Sequence, residues 1–143
     1  MRKILFLLLV LTTSTFAQEV EIGSVFIIQF TDLEKGMEFE LVNKSSLKQL
    51  DDISSLDKIL DIKPKENQII GVFTKGVTGS NTNSVLILIS GLKNKLDFDL
   101  EMKLPRKWRF QETVTSPLYH DVMSLQFWSY KVDKILFKEF RVP

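Results

Sequence analysis

Three carboxylates alternate with apolar residues in the segment Leu96–Leu104, namely Asp97, Asp99 and Glu101. On a β-strand, side chains two residues apart are separated by about 6.8 Å, and carboxyl groups about 5–9.5 Å apart can flank a glycosidic bond. The outer two carboxylates would lie roughly 13.6 Å apart, whereas Ca²⁺ needs its oxygen ligands within about 2.6 Å of the ion. We therefore expect a solvated sheet face without a metal site, and a carboxylate-dependent hydrolase is a remote hypothesis.

The chain is poor in other groups that do chemistry. It contains no cysteine and a single histidine, His120, which is followed by Asp121. Thiol nucleophiles are therefore absent, and one histidine cannot build a His-rich zinc site within the chain. We expect His120 to be an exposed or hydrogen-bonded loop residue that can pair with Asp121. The sequence predicts a protein that is not an enzyme and that needs no cofactor.

Basic and aromatic residues are interleaved in the segment Arg106–Phe110. Cations beside aromatic rings suit anionic partners and stacking on other rings. If this segment were a strand, Lys107 and Arg109 would point into water while Trp108 and Phe110 pointed into the core. The segment is the best candidate for a binding surface.

A second aromatic cluster comprises Phe127, Trp128 and Tyr130. Because Phe127 and Trp128 are adjacent, a strand would send them to opposite faces, so that one ring can lie outside the main core. An exposed Trp or Tyr can anchor a protein or sugar partner. The predicted contact residues are therefore Trp128, Tyr130, Arg106, Lys107 and Arg109.

Hydrophobic patterning predicts a mainly β fold. Alternation is complete over Leu96–Leu104 and recurs over Met37–Leu41 and Lys107–Phe110, which is typical of half-buried antiparallel strands. Short β-branched runs predict strands that are buried on both faces, and the tail supplies two more strands. These further segments are Val25–Phe30, Ile69–Phe73, Val85–Ile89, Met123–Tyr130 and Lys134–Val142. With Gly76–Ser84 as a connecting loop, we predict one antiparallel β-sandwich domain of about eight strands.

One stretch departs from strand patterning, because apolar residues recur every three positions from Leu47 to Ile59. A step of three falls short of a full helical turn, so one long helix would spread these residues around its axis. Ser46 and Ser54 each begin a capping-box pattern. We therefore predict one or two short helices around residues 46–62.

The N-terminus has the order of a secretory signal peptide. Arg2 and Lys3 precede the apolar run Ile4–Leu11, and Thr12–Phe16 then lead to the small residue Ala17. Eight apolar residues are too few for a membrane span, which needs about 20. We predict cleavage between Ala17 and Gln18, leaving residues 18–143 as one domain that does not span a membrane. The leader resembles those of Gram-negative bacterial envelope proteins, and without a lipidation cysteine the mature chain is expected in the periplasm or outside the cell.

Charge argues against nucleic acid as a partner. Removal of the leader leaves 17 basic and 18 acidic residues, a near-neutral balance. The leading hypothesis is an exported, non-enzymatic β-sandwich module that binds another envelope or extracellular component, with a protein as the first expectation. A carbohydrate-binding module is the alternative, and a small hydrolase that uses the carboxylate row is the second alternative.

Overall fold

Nine strands account for the regular structure of the described residues. The structure is a computed structural model that describes residues 18–33, 37–46, 61–78 and 81–143. The strands are β1 (Gln18–Glu21), β2 (Ser24–Asp32), β3 (Glu38–Ser46), β4 (Gln68–Thr78), β5 (Asn81–Ser90), β6 (Asp97–Lys103), β7 (Gln111–Thr113), β8 (Met123–Trp128) and β9 (Lys134–Arg141). They form a four-stranded antiparallel sheet in the order β1-β9-β6-β7 and a five-stranded antiparallel sheet in the order β3-β2-β4-β5-β8. The mainly β class and the two-sheet arrangement are confirmed.

Phenylalanine rings fill much of the space between the two sheets. Phe26 of β2 meets Phe137 of β9 with ring centroids 5.7 Å apart, and Phe98 of β6 stacks on Phe140 of β9 at 5.5 Å. Phe137 and Phe140 both point inward although three positions separate them, because the β6–β9 register shifts after Asp99. Such a bulge inserts an extra residue and re-aims the side chains that follow.

Strand β6 follows its sequence pattern. Phe98, Leu100 and Met102 are buried in the core, whereas Asp99 is exposed and its charged neighbours on that face are half-buried. The period of two in the sequence is sufficient to orient such a strand, since successive side chains alternate between the faces. The predicted half-buried strand is confirmed.

The central strands of the five-stranded sheet are buried on both faces. All residues of Ile69–Phe73 are buried, as are Leu86, Ile87 and Leu88 of β5. Val25–Phe30 was expected to behave in the same way, but in β2 the outward Val25 and Ile27 are only half-buried. The outer face of the sheet is therefore covered over β4 and the middle of β5 but less completely over β2.

Side chains of β1 close one side of the sandwich. Gln18 Nε2 donates to the carbonyl of Phe39 (3.3 Å), and Gln18 Oε1 accepts from the N–H of Leu41 (3.0 Å). Lys44 Nζ donates to the carbonyl of Glu19 at 3.1 Å. Gln18 of the facing sheet therefore occupies two backbone groups of edge strand β3, which satisfies groups that an edge strand leaves open.

Two local predictions are wrong. Gly76–Ser84 was expected to be a loop, but β4 and β5 pair as far as Thr78 and Asn81, so most of this segment is strand. Ladder hydrogen bonds to the adjacent strand outweigh the weak strand propensity of Gly and Asn. Lys107–Phe110 was expected to be a strand, but these residues lie in the connection between β6 and β7.

The predicted helices around residues 46–62 fall almost wholly outside the described residues. At the described ends, Ser46 closes β3 and Asp61 lies in a turn, and no described residue is helical. No helix in the described ranges is long and apolar enough to cross a membrane.

Candidate functional site

The connection between β6 and β7 begins with a strained turn. Lys107 N–H donates to the carbonyl of Leu104 (3.1 Å), which closes a turn over Pro105 and Arg106. Proline suits the second position of such a turn, and the third favours glycine when φ is positive. Here Arg106 has φ 63°, in the left-handed region that costs an ordinary residue about 1–2 kcal/mol. The chain therefore holds a long cation where glycine would be less strained.

Trp108 stands out from this turn with its ring in water. It is 77% exposed, and among the described large hydrophobic residues only Val114 is more exposed. The Arg109 guanidinium carbon lies 4.2 Å from the centroid of the indole, a cation–π contact that covers one face of the ring. The prediction that Trp108 points into the core is wrong, because the segment that carries it is a loop and imposes no alternation.

The three cations of this loop have no acidic partner. Among the described residues, none of the ion pairs includes Arg106, Lys107 or Arg109. Each of the three is exposed. The loop therefore presents positive charge around an exposed indole, and no acidic residue of the described ranges neutralises it.

The connection between β8 and β9 lies at the same end of the sandwich. Asp133 N–H donates to the carbonyl of Lys103, the last residue of β6, at 2.9 Å. The hydroxyl of Tyr130 lies 3.7 Å from Met102 Sδ. Tyr130 is partly exposed, and Lys131 beside it pairs with Asp133 at 3.4 Å. We call Arg106–Arg109 together with Tyr130 the cationic-aromatic end.

Four of the five predicted contact residues thus belong to one end of the fold, although the two connections are about 20 positions apart in the chain. Comparison of the chain with protein-family models, with curated proteins and with solved structures finds no match. The geometry and the charge of this end are therefore the basis for a functional proposal.

Trp128, the fifth predicted contact residue, lies in the core. Its side chain is 4% exposed, packs edge-on against Phe73 (centroids 6.3 Å apart) and donates from Nε1 to Thr113 Oγ1 at 3.2 Å. Its neighbour Phe127 is the exposed one of the pair. The expected division of the two rings between opposite faces is confirmed, and the buried member holds the two sheets together.

The carboxylate row lies on an open sheet face, as expected for a solvated strand. Glu101 is 3.8 Å from Lys138 Nζ, and Glu112 lies directly opposite Glu101 on β7. The sequence did not indicate Glu112, because only the pairing of β6 with β7 brings it there. No group of three or more potential ligands within the described ranges could hold a metal ion.

Asp99 is engaged by Arg141 through two hydrogen bonds, Nη1 to Oδ2 at 2.5 Å and Nη2 to Oδ1 at 3.0 Å. These hydrogen bonds hold the pKa of the Asp99 carboxyl below its ordinary value, although slight burial opposes the shift. An aspartate with a lowered pKa stays ionised at neutral pH and cannot serve as a general acid.

The Asp99 pair has a testable pH dependence. Because the pKa is lowered by folding, the pair contributes stability above the unfolded-state value of about 3.9, and this is lost as the pH falls through the folded pKa. We expect an NMR titration of the Asp99 carboxyl carbon to give a lower midpoint in the wild type than in Arg141→Gln. Equal midpoints would contradict the pairing, and Lys138→Gln serves as a control that leaves Arg141 in place.

His120 and Asp121 form a local pair at the opposite end. His120 Nε2 lies 3.2 Å from Asp121 Oδ2, and both side chains are about half-exposed. Nearby Tyr119 is also exposed, with Lys95 Nζ 5.9 Å from its ring centroid. This exposed aromatic residue with an adjacent cation resembles the Trp108–Arg109 pair in chemistry but not in position.

Proposed function

We propose that the protein is an exported, non-enzymatic β-sandwich module that binds an acidic surface of another protein of the cell envelope through its cationic-aromatic end. The observation that carries the proposal is the exposed Trp108 with its stacked Arg109, beside cations that form no ion pair with any described acidic residue. Trp and Arg are among the residues that contribute most to protein–protein binding energy. Unpaired cations on the module favour a partner surface of negative charge.

The strain at Arg106 supports a role in binding. A backbone held in the left-handed region is costly, and such positions concentrate at functional sites. Glycine at position 106 would relieve the strain, so stability alone does not account for arginine there. Binding through its guanidinium supplies a reason for the residue.

A protein partner fits this end better than a sugar. A sugar platform requires open ring faces, whereas Arg109 covers one face of Trp108. The loop also projects from the fold around a single exposed Trp. Carbohydrate binding is the alternative, and the experiment below distinguishes it from protein binding. The carboxylate face offers less support for the hydrolase, because Asp99 and Glu101 each have a cationic partner.

Export is part of the same proposal. The sequence predicts cleavage between Ala17 and Gln18, which would make Gln18 the first residue of the mature chain. Gln18 then contributes its side-chain hydrogen bonds to β3 as the first residue of the mature chain. Cell fractionation followed by N-terminal sequencing is expected to give envelope material that begins at Gln18. Cytosolic material with an intact leader would refute export.

The binding proposal is tested by affinity capture from an envelope extract with immobilised residues 18–143. We expect the same protein to be retained by the wild type and by Tyr119→Ala, the matched aromatic control from the opposite end. Trp108→Ala and Arg109→Ala should each reduce its recovery at least about tenfold, as for central residues of an interface. Added salt should weaken the binding, since the cations are exposed.

Arg106→Gly separates binding from folding. Relief of the left-handed strain should raise the free energy of unfolding by about 1 kcal/mol, while loss of the cation weakens capture. Retention of the captured protein by all variants would exclude the cationic-aromatic end as the contact surface. Binding to polysaccharide panels without protein capture would favour the carbohydrate-binding alternative.

A further inference from the structure

Strand β8 is amphipathic, but its apolar side points outward and its polar side points inward, which is the reverse of the usual arrangement. Its apolar residues Met123, Leu125 and Phe127 point out of the sandwich and are 45–57% exposed. Its polar residues Ser124 and Gln126 point inward and are half-buried. A strand with one solvated face ordinarily points its polar residues outward. The outward apolar row therefore lies outside the core that the described residues form.

The inward face of β8 fixes this orientation. Trp128 lies in the core, and Gln126 Nε2 donates to the carbonyl of Val114 at 2.7 Å beside β7. A shift of one residue in register would turn Trp128 into water and the apolar row inward. Because the Trp128 and Gln126 contacts oppose such a shift, the apolar row stays outside.

The apolar row is continuous with an apolar sheet face. Met123, Leu125 and Phe127 lie opposite Ile89, Ile87 and Val85 of β5. Four of the eleven described large hydrophobic residues that are exposed lie between Tyr119 and Tyr130, and three of these four are the apolar residues of β8. This concentration makes the β8 edge the main apolar surface of the described residues.

The β8 edge also lacks the protection found at the other three edges. Strand β1 carries Glu19 and Glu21, β3 carries Glu38, Glu40 and Lys44, and the three-residue β7 carries Glu112. Charges and short length both discourage strand addition at an edge. Strand β8 has six residues and no charge, and no hydrogen bond from another described side chain reaches its backbone. On β3, by contrast, Gln18 occupies two backbone groups.

We propose that β8 pairs with β8 of a second copy of this chain in a two-fold symmetric dimer. A two-fold axis perpendicular to the sheet makes the two strands antiparallel and keeps the apolar row on the same face of both copies. In the register centred on Leu125, the two Leu125 residues lie opposite each other, and Met123 of each copy lies opposite Phe127 of the other. The neutral strand places no like charges opposite each other, and the five-stranded sheets join into one.

A second copy is favoured over a different partner strand because β8 complements itself. Both halves of the strand carry an apolar side chain on the outer face, and neither carries a charge. Two copies of β8 can therefore pair with apolar side chains next to each other and with no need for an oppositely charged partner strand. Standard protein interfaces bury about 800 Å² per partner, and a single strand pair with flanking side chains lies at the low end of that range. A concentration-dependent dimer is therefore expected. This surface is distinct from the cationic-aromatic end and does not depend on its role.

Analytical ultracentrifugation of residues 18–143 over a wide concentration range tests the proposal. We expect a monomer–dimer equilibrium, which Leu125→Lys weakens at least about tenfold because it sets two lysines against each other at the symmetry axis. Leu125→Glu should weaken it similarly. An equimolar mixture of the two variants should restore a one-to-one dimer, since opposite charges then face each other.

The controls distinguish this contact from others. Val142→Lys changes an exposed apolar residue elsewhere, and Trp108→Ala changes the cationic-aromatic end; both should leave dimerisation unchanged. Circular dichroism should show that the Leu125 variants remain folded, because this side chain points outward. A protein that is monomeric at all concentrations would overturn the proposal. So would a dimer that survives Leu125→Lys, or a mixture of the Lys and Glu variants that stays monomeric.

Discussion

Substitution of Gly71 by valine is expected to lower the free energy of unfolding by about 3 kcal/mol, at the upper end of the range for overpacked cores. Gly71 lies directly opposite Phe26 in the pairing of β2 with β4. A Cβ atom at position 71 would overlap the Phe26 ring, whose Cε1 would be 2.8 Å away. The ring cannot retreat easily, because it is fully buried and packs against Phe137. Urea denaturation with an unchanged m-value measures the loss.

A double-mutant cycle tests whether the Phe26 ring is the cause. Gly71→Ala and Phe26→Leu should each destabilise the fold, but together they should cost at least about 1 kcal/mol less than the sum, because leucine leaves room for the new methyl group. Gly76→Ala is the matched control in the same strand. Its Cβ would meet the side chain of Val85 at 2.9 Å, a neighbour at the half-buried outer face. Additive costs for Gly71→Ala and Phe26→Leu would show that the overlap is not what requires glycine.

The pairing of Phe26 with Gly71 illustrates what sequence patterning cannot supply. The sequence places both residues in predicted strands, and the structure confirms those strands. Which residue of β4 faces Phe26 depends on the register, and register depends on the packing of the complete sheet. Local alternation therefore predicted β6, and β-branched runs predicted β2 and β4, whereas the close approach of ring and glycine became visible only with the tertiary fold.

The candidate site was predictable in residue type more than in position. The interleaving of cations and aromatics around Trp108 drew attention to a loop whose residues 106–109 are all exposed. Four alternating residues after Pro105, however, do not distinguish a strand from a loop, and the strand interpretation buried Trp108 wrongly. In β8 the polar and apolar residues alternate as in an ordinary strand, so the pattern favours burial of Leu125. Because Trp128 lies in the core, Leu125 points outward instead. No local sequence pattern indicates that Trp128 is the buried residue.

The two tryptophans should therefore respond to substitution in opposite ways. Trp128→Ala is expected to lower the free energy of unfolding by about 3–5 kcal/mol, since it removes a buried indole. It also removes the hydrogen bond to Thr113, which links β8 to the facing sheet. Trp108→Ala should change stability by no more than about 0.5 kcal/mol, because its ring lies in water. Urea denaturation of both variants provides the comparison.

Fluorescence reports on the same contrast, because the chain contains two tryptophans and each can be replaced in turn by phenylalanine. Trp108→Phe leaves the buried indole, whose emission should lie at shorter wavelength and resist quenching by iodide. Trp128→Phe leaves the exposed indole, whose emission should be readily quenched, and the envelope protein bound at the cationic-aromatic end should protect it.

If Trp128→Ala instead kept full stability and lost the captured protein, Trp128 would be a contact residue and the assignment of binding to Trp108 would fail. The buried position of Trp128 predicts the reverse: a folded Trp128→Phe protein that still binds, and a Trp108→Phe protein that binds weakly because the Arg109 guanidinium has lost its larger indole partner.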